Sequence, residues 1–169
     1  MDKNWVIIDV ETDGIAAPIH VVEVAAQKML GWEKMGDIFI RLIDHGIDIP
    51  EKASGIHGYT REILERDGLP ASEVYDDLRD FVNGMPLVAY NLEFDWDKVL
   101  VPEWRRLGIP QIGTRGLCAL DLTRRLLDPI SAGDFKLQTL RSYYDLPERA
   151  AHSADGDVLT LVDLMTQVI

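Results

Sequence analysis

The sequence predicts an α/β fold, a mixed five-stranded sheet with an antiparallel opening meander, flanked by helices. Three observations carry that reading. Strand-like runs fill the chain as far as Ile43, strand-like and helix-like runs alternate from Leu87 onward, and the last segment repeats apolar residues at helical spacing. With 169 residues, 47% of them apolar, the chain is long enough for a single domain over residues 1–169. Such a domain buries roughly two-thirds of the surface its unfolded form exposes. No internal repeat, low-complexity tract or Gly/Ser linker divides it.

Trp5 to Val10 is a β-branched, apolar run without alternation, the pattern of a central strand, closed by the breaker Gly14. His20 to Met29 and Asp37 to Ile43 form the next two strands, with Gly31 and Gly36 marking the turn between them. After a loop through Pro50 the period changes. Thr60 caps a helix through Leu64, and Ser72 caps a second with Val74, Leu78, Phe81 and Val82 on one face. Leu87 to Tyr90 is a short buried strand, and Asn91 caps the helix carrying Trp96, Val99 and Leu100. Gly116 to Leu120 is the fifth strand. Leu122 to Leu127 is helical and stops at Asp128-Pro129, because the residue before proline disfavours helical backbone. Leu137 to Tyr144 is one more helix, and Ser153 caps a terminal helix through Val158, Leu161, Val162, Met165 and Val168.

Composition narrows the function classes. Lys plus Arg number 17 against 29 Asp plus Glu, a formal charge of −12, which opposes a broad electrostatic grip on polynucleotide phosphate. The single cysteine, Cys118, excludes an intramolecular disulfide and a Cys-based zinc site, and its apolar neighbours mark a buried core thiol. The start, Met1 to Trp5, leads into no signal-peptide core, and no apolar run approaches the ~20 residues of a membrane span. A soluble, cytoplasmic protein is expected. His20 and His45 read as structural or solvated, the tryptophans as core or surface anchors, and Arg105-Arg106 and Arg124-Arg125 as solvated helix faces.

Where the acids fall matters more than their number. Asp9 and Glu11 leave one face of the first strand about 7 Å apart, and two such carboxylates repel unless something neutralises them. Taken alone the pair is a solvated strand end. Asp95 falls in the first turn of a helix, where the dipole favours an acid whatever its role. His152 and Asp157 flank the start of the terminal helix, where a histidine is ordinarily structural.

In this order, however, the three pieces closely resemble the DEDDh exonucleases, the group that includes the proofreading subunit of bacterial DNA polymerase III. The matching residues are Asp9-Val10-Glu11-Thr12-Asp13-Gly14, Asn91-x-x-Phe94-Asp95 and His152-x-Ala154-x-x-Asp157. Gly55-Ile56-His57-Gly58-Tyr59-Thr60 is similar to the family's His-Gly-Ile-Thr element, and the resemblance runs from Trp5 to the end. His152 stands five residues before Asp157, as in the histidine subgroup. The tyrosine-using relatives place Tyr four residues before that acid, where this chain has Ser153.

The resemblance implies a ribonuclease H-like fold and metal-dependent removal of nucleoside monophosphates from the 3′ end of DNA. On that reading Asp9 bridges two divalent cations, Mg²⁺ or Mn²⁺. Glu11 and Asp157 complete the site of the ion that activates water, Asp95 serves the second ion, and His152 is the general base. Oxygen ligands suit these hard cations. An imidazole near its ordinary pKa of ~6.5 can take a proton at neutral pH. The resemblance also places backbone around Thr12 at the terminal 3′-hydroxyl, Ile15 near the last bases, and Ile56 and His57 along the terminal nucleotide. Asn91 is counted with these substrate-binding residues. Ile15 and Ile56 read equally well as loop anchors. Two positions depart from the family pattern: Tyr90 where many relatives carry His, and Asp155, an added acid between His152 and Asp157.

The implied partners are single-stranded 3′ ends of DNA or RNA and a polymerase or other protein, with no membrane. Two other readings stay open. One is a 3′-to-5′ exoribonuclease, because the same metal chemistry serves both sugars and no contact to a 2′-hydroxyl can be read from the sequence. The other is a non-catalytic subunit that keeps the fold while binding a polymerase. Two divalent cations at the four acids take the formal charge from −12 to −8. The acidic balance therefore limits how a strand is held without excluding one.

Overall fold

The computed structural model describes residues 4–128 and 132–169. Its first three strands, β1 (Asn4–Thr12), β2 (Val21–Leu30) and β3 (Glu33–Leu42), form the expected antiparallel meander. There follow α1 (Glu51–His57), α2 (Arg61–Asp67), α3 (Ala71–Val82), β4 (Pro86–Ala89), α4 (Glu93–Leu100) and α5 (Val101–Leu107). The chain continues with β5 (Thr114–Cys118), α6 (Ala119–Leu126), α7 (Leu137–Tyr143) and α8 (Ala154–Gln167). β4 runs parallel to β1 and β5 parallel to β4, which gives a mixed sheet in the order β3-β2-β1-β4-β5.

β1 is central, as its apolar run requires. Val6, Ile7 and Ile8 are wholly buried, but against different layers. Val6 and Ile8 belong to the core shared with Val74, Leu78 and Val82 of α3 and Val99 and Leu100 of α4, whereas Ile7 belongs to that of Leu140 of α7 and Val158 and Leu161 of α8. This alternation decides which way the acids of β1 point. No helix among the described residues is long and apolar enough to cross a membrane.

Several local expectations need correction. The β2–β3 turn is Gly31-Trp32 alone, since Leu30 pairs with Glu33, so β3 starts before Asp37. Gly36 lies inside β3, with φ of 66°, where a bulge opposite Gln27 lets that side chain donate to the Met35 carbonyl at 3.1 Å. The segment after Pro50, to which the sequence assigned no element, is the helix α1; only its Ala53 is buried, so no apolar period announces it. Thr60 caps α2 as expected, accepting from Ile63 N at 3.4 Å, but Ser72 lies within α3, which starts after Pro70 with no side-chain cap. Asn91 serves α4 through its carbonyl, which accepts from Phe94 N at 2.8 Å and Asp95 N at 3.3 Å, and its side chain makes no cap. α6 opens at Ala119, directly after β5, and ends at Leu126. Pro129, the expected helix stop, lies outside the described residues, as do Met1 to Lys3. Cys118 is half-buried, with its thiol 3.6 Å from the Tyr90 carbonyl oxygen.

One basic pair also differs from a solvated face. Arg106 reaches back to the Ile19 carbonyl at 3.0 Å and to Glu103 at 3.2 Å. Glu103 is wholly buried and also accepts from the Tyr75 hydroxyl, from Val21 N at 3.2 Å, and faces His45 Nε2 at 3.2 Å. A buried carboxylate requires such a shell of donors. His45 is thereby structural, as expected, and so is His20, which meets Asp13 at 2.7 Å.

Candidate active site

The alternation along β1 turns Asp9 and Glu11 to the same side as Ile7, toward α8. β4 pairs with β1 only through Val6 and Ile7, which leaves the far end of β1 open on that edge. Asp95 approaches this end from the first turn of α4, close enough to Val10 for that residue's backbone to favour its ionised form. α4 is wound as a π-helix, a rare form that is frequent at functional sites. From the other side, Ser153 caps α8 by accepting from Gly156 N at 3.3 Å, and Asp157 follows in the first turn. One carboxylate oxygen from each of Asp9, Glu11 and Asp157 lies within 4.8 Å of the other two.

His152 lies exposed just before the cap in the left-handed region, φ 58°. The loop that carries it folds tightly over the start of α8. A Cβ at Gly156 would stand 2.1 Å from the Ala150 carbonyl oxygen, so glycine is needed for this approach. Asp155, the added acid, accepts from the Ser153 hydroxyl, and its charge adds to the repulsion on Asp157. Tyr90 donates its hydroxyl to the Phe135 carbonyl and so ties the end of β4 to the segment ahead of α7.

Electrostatics mark the cluster as unbalanced. Burial, with Asp95, Asp157 and Glu11 adding repulsion, holds the Asp9 carboxyl well above the usual carboxylate range. Glu11 is pushed up to about 8, first by burial and then by Asp157 and Glu23. Asp95 is pushed up to about 7 by burial, against hydrogen bonds from the backbone. Asp157 is raised by burial, offset in part by a hydrogen bond from Gln138. All four net shifts run upward, chiefly through burial, so the carboxyls resist ionising together without an added counter-charge. An all-oxygen donor set with unrelieved negative charge fits a hard divalent cation.

Beside the acids lies a cleft of about 390 Å³ lined by Glu11, Thr12, Gly14, Ile15, Ile56 and His57 among others. Ile15 is 81% and Ile56 52% exposed, so neither anchors a loop to the core. His57 Nε2 lies 3.1 Å from the Thr12 carbonyl oxygen. Asn91 lies outside this cleft, in a separate depression with Tyr90, Arg124 and Leu137.

The structure adds two residues that sequence reasoning missed. Gln138 of α7 donates from Nε2 to Asp157 Oδ1 at 2.7 Å and is itself held by Arg141 Nε at 3.0 Å. Glu23 of β2 stands directly opposite Glu11 and is 2% exposed. Its one signal in the sequence was an acid amid the apolar run Val21-Val22-Glu23-Val24-Ala25.

The exonuclease family model, RNase T, matches residues 6–165. The chain belongs to the exonuclease family. This agrees with the DEDDh pattern of its motifs and makes the fold that of a nuclease domain. The chain is 25% identical over 176 residues to a DNA polymerase III subunit epsilon-like protein of Rhodobacter capsulatus, covering 100% of this chain and 24% of that one. It is 31% identical over 124 residues to the PolC-type DNA polymerase III of Thermotoga maritima, covering 69% of this chain and 9% of that one. The exonuclease-family chain thus spans about a quarter or less of the length of these curated relatives. Its fold, a five-stranded sheet flanked by helices, is similar to that of the zinc-bound E. coli ExoI–ssDNA complex. The TM-score is 0.86 at 18% identity, covering 98% of this chain and 40% of that one.

Proposed function

We propose that the chain is a 3′-to-5′ exonuclease, one domain over residues 1–169, that removes nucleoside monophosphates from single-stranded 3′ ends of DNA. The convergence of Asp9, Glu11 and Asp157 beside an open apolar cleft carries this reading. Asp9, Glu11 and Asp157, with Asp95 behind Asp9, are the residues to hold two divalent cations, Mg²⁺ or Mn²⁺. Such cations would neutralise charge on the phosphoryl oxygens and acidify the attacking water. His152, exposed at the rim, takes the proton from that water as general base. Gln138 keeps Asp157 turned toward the cluster.

The cleft receives the chain end. The backbone at Thr12 and the ring of His57 meet the terminal sugar, while exposed Ile15 and Ile56 offer apolar surface to the last bases. Asn91, outside the cleft, contacts the strand further back. Among the described residues Lys52 is the only lysine or arginine on the cleft lining, and the whole chain carries −12. Engagement is therefore short, and a polymerase or other partner in the cytoplasm delivers the end. DNA is favoured over RNA because the curated relatives named above are a DNA polymerase III subunit epsilon-like protein and a PolC-type DNA polymerase III.

The test presents 5′-labelled single-stranded DNA, matched RNA and a mismatched duplex, each with Mg²⁺, Mn²⁺ or chelator. A ladder shortening from the 3′ end and lost with chelator is expected. Cleavage of none of the three substrates refutes the proposal in favour of a non-catalytic subunit, and preference for RNA makes the chain an exoribonuclease.

A further inference from the structure

The proposed chemistry leaves Glu23 unused, although it lies buried across the β1–β2 ladder from Glu11. It interacts with groups from two separate segments of the chain. Ala154, the first residue of α8, donates its backbone N–H to Glu23 Oε2 at 2.9 Å, and the Tyr59 hydroxyl lies close enough to the same carboxylate for each to shift the other's titration. Ala154 lies between His152 and Asp157.

Tyr59 continues the connection to the cleft. Its ring stacks on His57 with centroids 5.3 Å apart, and its backbone N–H donates to His57 Nδ1 at 3.1 Å. With Nδ1 accepting, the proton of the neutral ring sits on Nε2, which donates to the Thr12 carbonyl at 3.1 Å. A run of contacts therefore leads from Thr12 through His57 and Tyr59, and on through the electrostatic interaction of Tyr59 with Glu23, to the first turn of α8.

We infer that Glu23 is a positioning residue that couples the cleft for the chain end to the segment carrying His152 and Asp157. A carboxylate on a helix-start N–H is charge-assisted and aligned with the helix dipole, so the contact holds that turn in register with β2. The consequence for turnover rests on the nuclease reading; the coupling itself does not.

The test uses the full chain as wild type, Glu23→Gln, Glu23→Ala and Tyr59→Phe. Hydrogen exchange on metal-free protein reads the coupling without activity. In Glu23→Ala, amides of residues 57–60 and 152–157 should exchange about tenfold faster or more. Glu23→Gln, whose amide can still meet both partners, should stay within about threefold of wild type. Tyr59→Phe should loosen 57–60 and spare 152–157. On a single-stranded oligonucleotide, Glu23→Ala should lower kcat by about 10–100-fold. Glu23→Gln should restore most of it, and Tyr59→Phe should raise KM more than it lowers kcat. Unchanged exchange at both segments in Glu23→Ala, or Glu23→Gln as impaired as Glu23→Ala, overturns the inference. Should Glu23→Ala not fold, unchanged exchange at 57–60 and unchanged KM in Tyr59→Phe do the same. If the exchange pattern holds while wild type cleaves nothing, the coupling stands and the nuclease reading fails.

Discussion

Metal-free protein should lose stability as the pH rises from about 5 to about 8, and a divalent cation should restore it at the upper end. Glu11 shows why. Its carboxyl titrates at about 8 in the folded chain against an ordinary 4.5, first because of burial and then because of its acidic neighbours. Below 4.5 both states hold the proton and the contribution is complete. Between 4.5 and about 8 the folded state binds more protons than the unfolded, so stability falls with pH at ~1.4 kcal/mol per unit. Across that window the slope amounts to roughly 5 kcal/mol. Glu11 is only half-buried and water screens it, so about 2 kcal/mol is the working figure. Asp9, Asp95, Asp157 and Glu23, all raised, act in the same sense. Mn²⁺ at a hundredfold excess over its dissociation constant adds ~2.7 kcal/mol. It needs ionised carboxylates, so this gain appears at pH 8 and fades by pH 5. The assay is urea denaturation followed by tryptophan fluorescence, in EDTA and in Mn²⁺, for wild type and Glu11→Gln. General repulsion in a chain of charge −12 affects both proteins, so the difference in their slopes isolates the site. A flat or rising metal-free profile from pH 5 to 8, or equal slopes in the two proteins, refutes the reasoning.

Three further outcomes are expected. His152→Ala should lower turnover by about 10²–10⁴ while keeping stabilisation by Mn²⁺, and Asp9→Ala should lose both; rates on a labelled oligonucleotide and melts with and without metal separate the two. Gly156→Ala would place a methyl group 2.1 Å from the Ala150 carbonyl oxygen, so the loop bearing His152 must move. Its melting temperature and kcat should both fall, and an unchanged kcat counts against the placement of that loop. Glu103→Ala strips the acceptor from Tyr75, Val21, His45 and Arg106 in the interior and should cost about 3–5 kcal/mol by urea denaturation. An unchanged midpoint would show the network to be dispensable.

The strands and the acids were legible because their signals are local. Val6-Ile7-Ile8 marks a central strand by composition alone, and Ser153 with its helical repeat marks α8 whatever surrounds it. α1 was not legible, since a helix that buries only Ala53 needs no apolar period. The hairpin at Gly31-Trp32 was misjudged because two glycines competed and only pairing with β2 put Gly36 into a bulge. Ile15 and Ile56 read equally well as substrate contacts and as loop anchors, and only their exposure in the fold removes the second reading. Glu23 and Gln138 read as ordinary polar residues until register set one opposite Glu11 and packing of α7 brought the other to Asp157.

Residue chemistry and short-range spacing determined which donors the chain carries, their order, and the strand or helix face that each shares with its neighbours. Only the assembled structure decided which faces meet. Glu11 and Asp157 lie at opposite ends of the chain and come together because β1 is central and α8 packs across it. The upward shifts of the acids follow from that assembly as well, since desolvation and mutual repulsion exist only where the folded chain has removed water and brought the charges close.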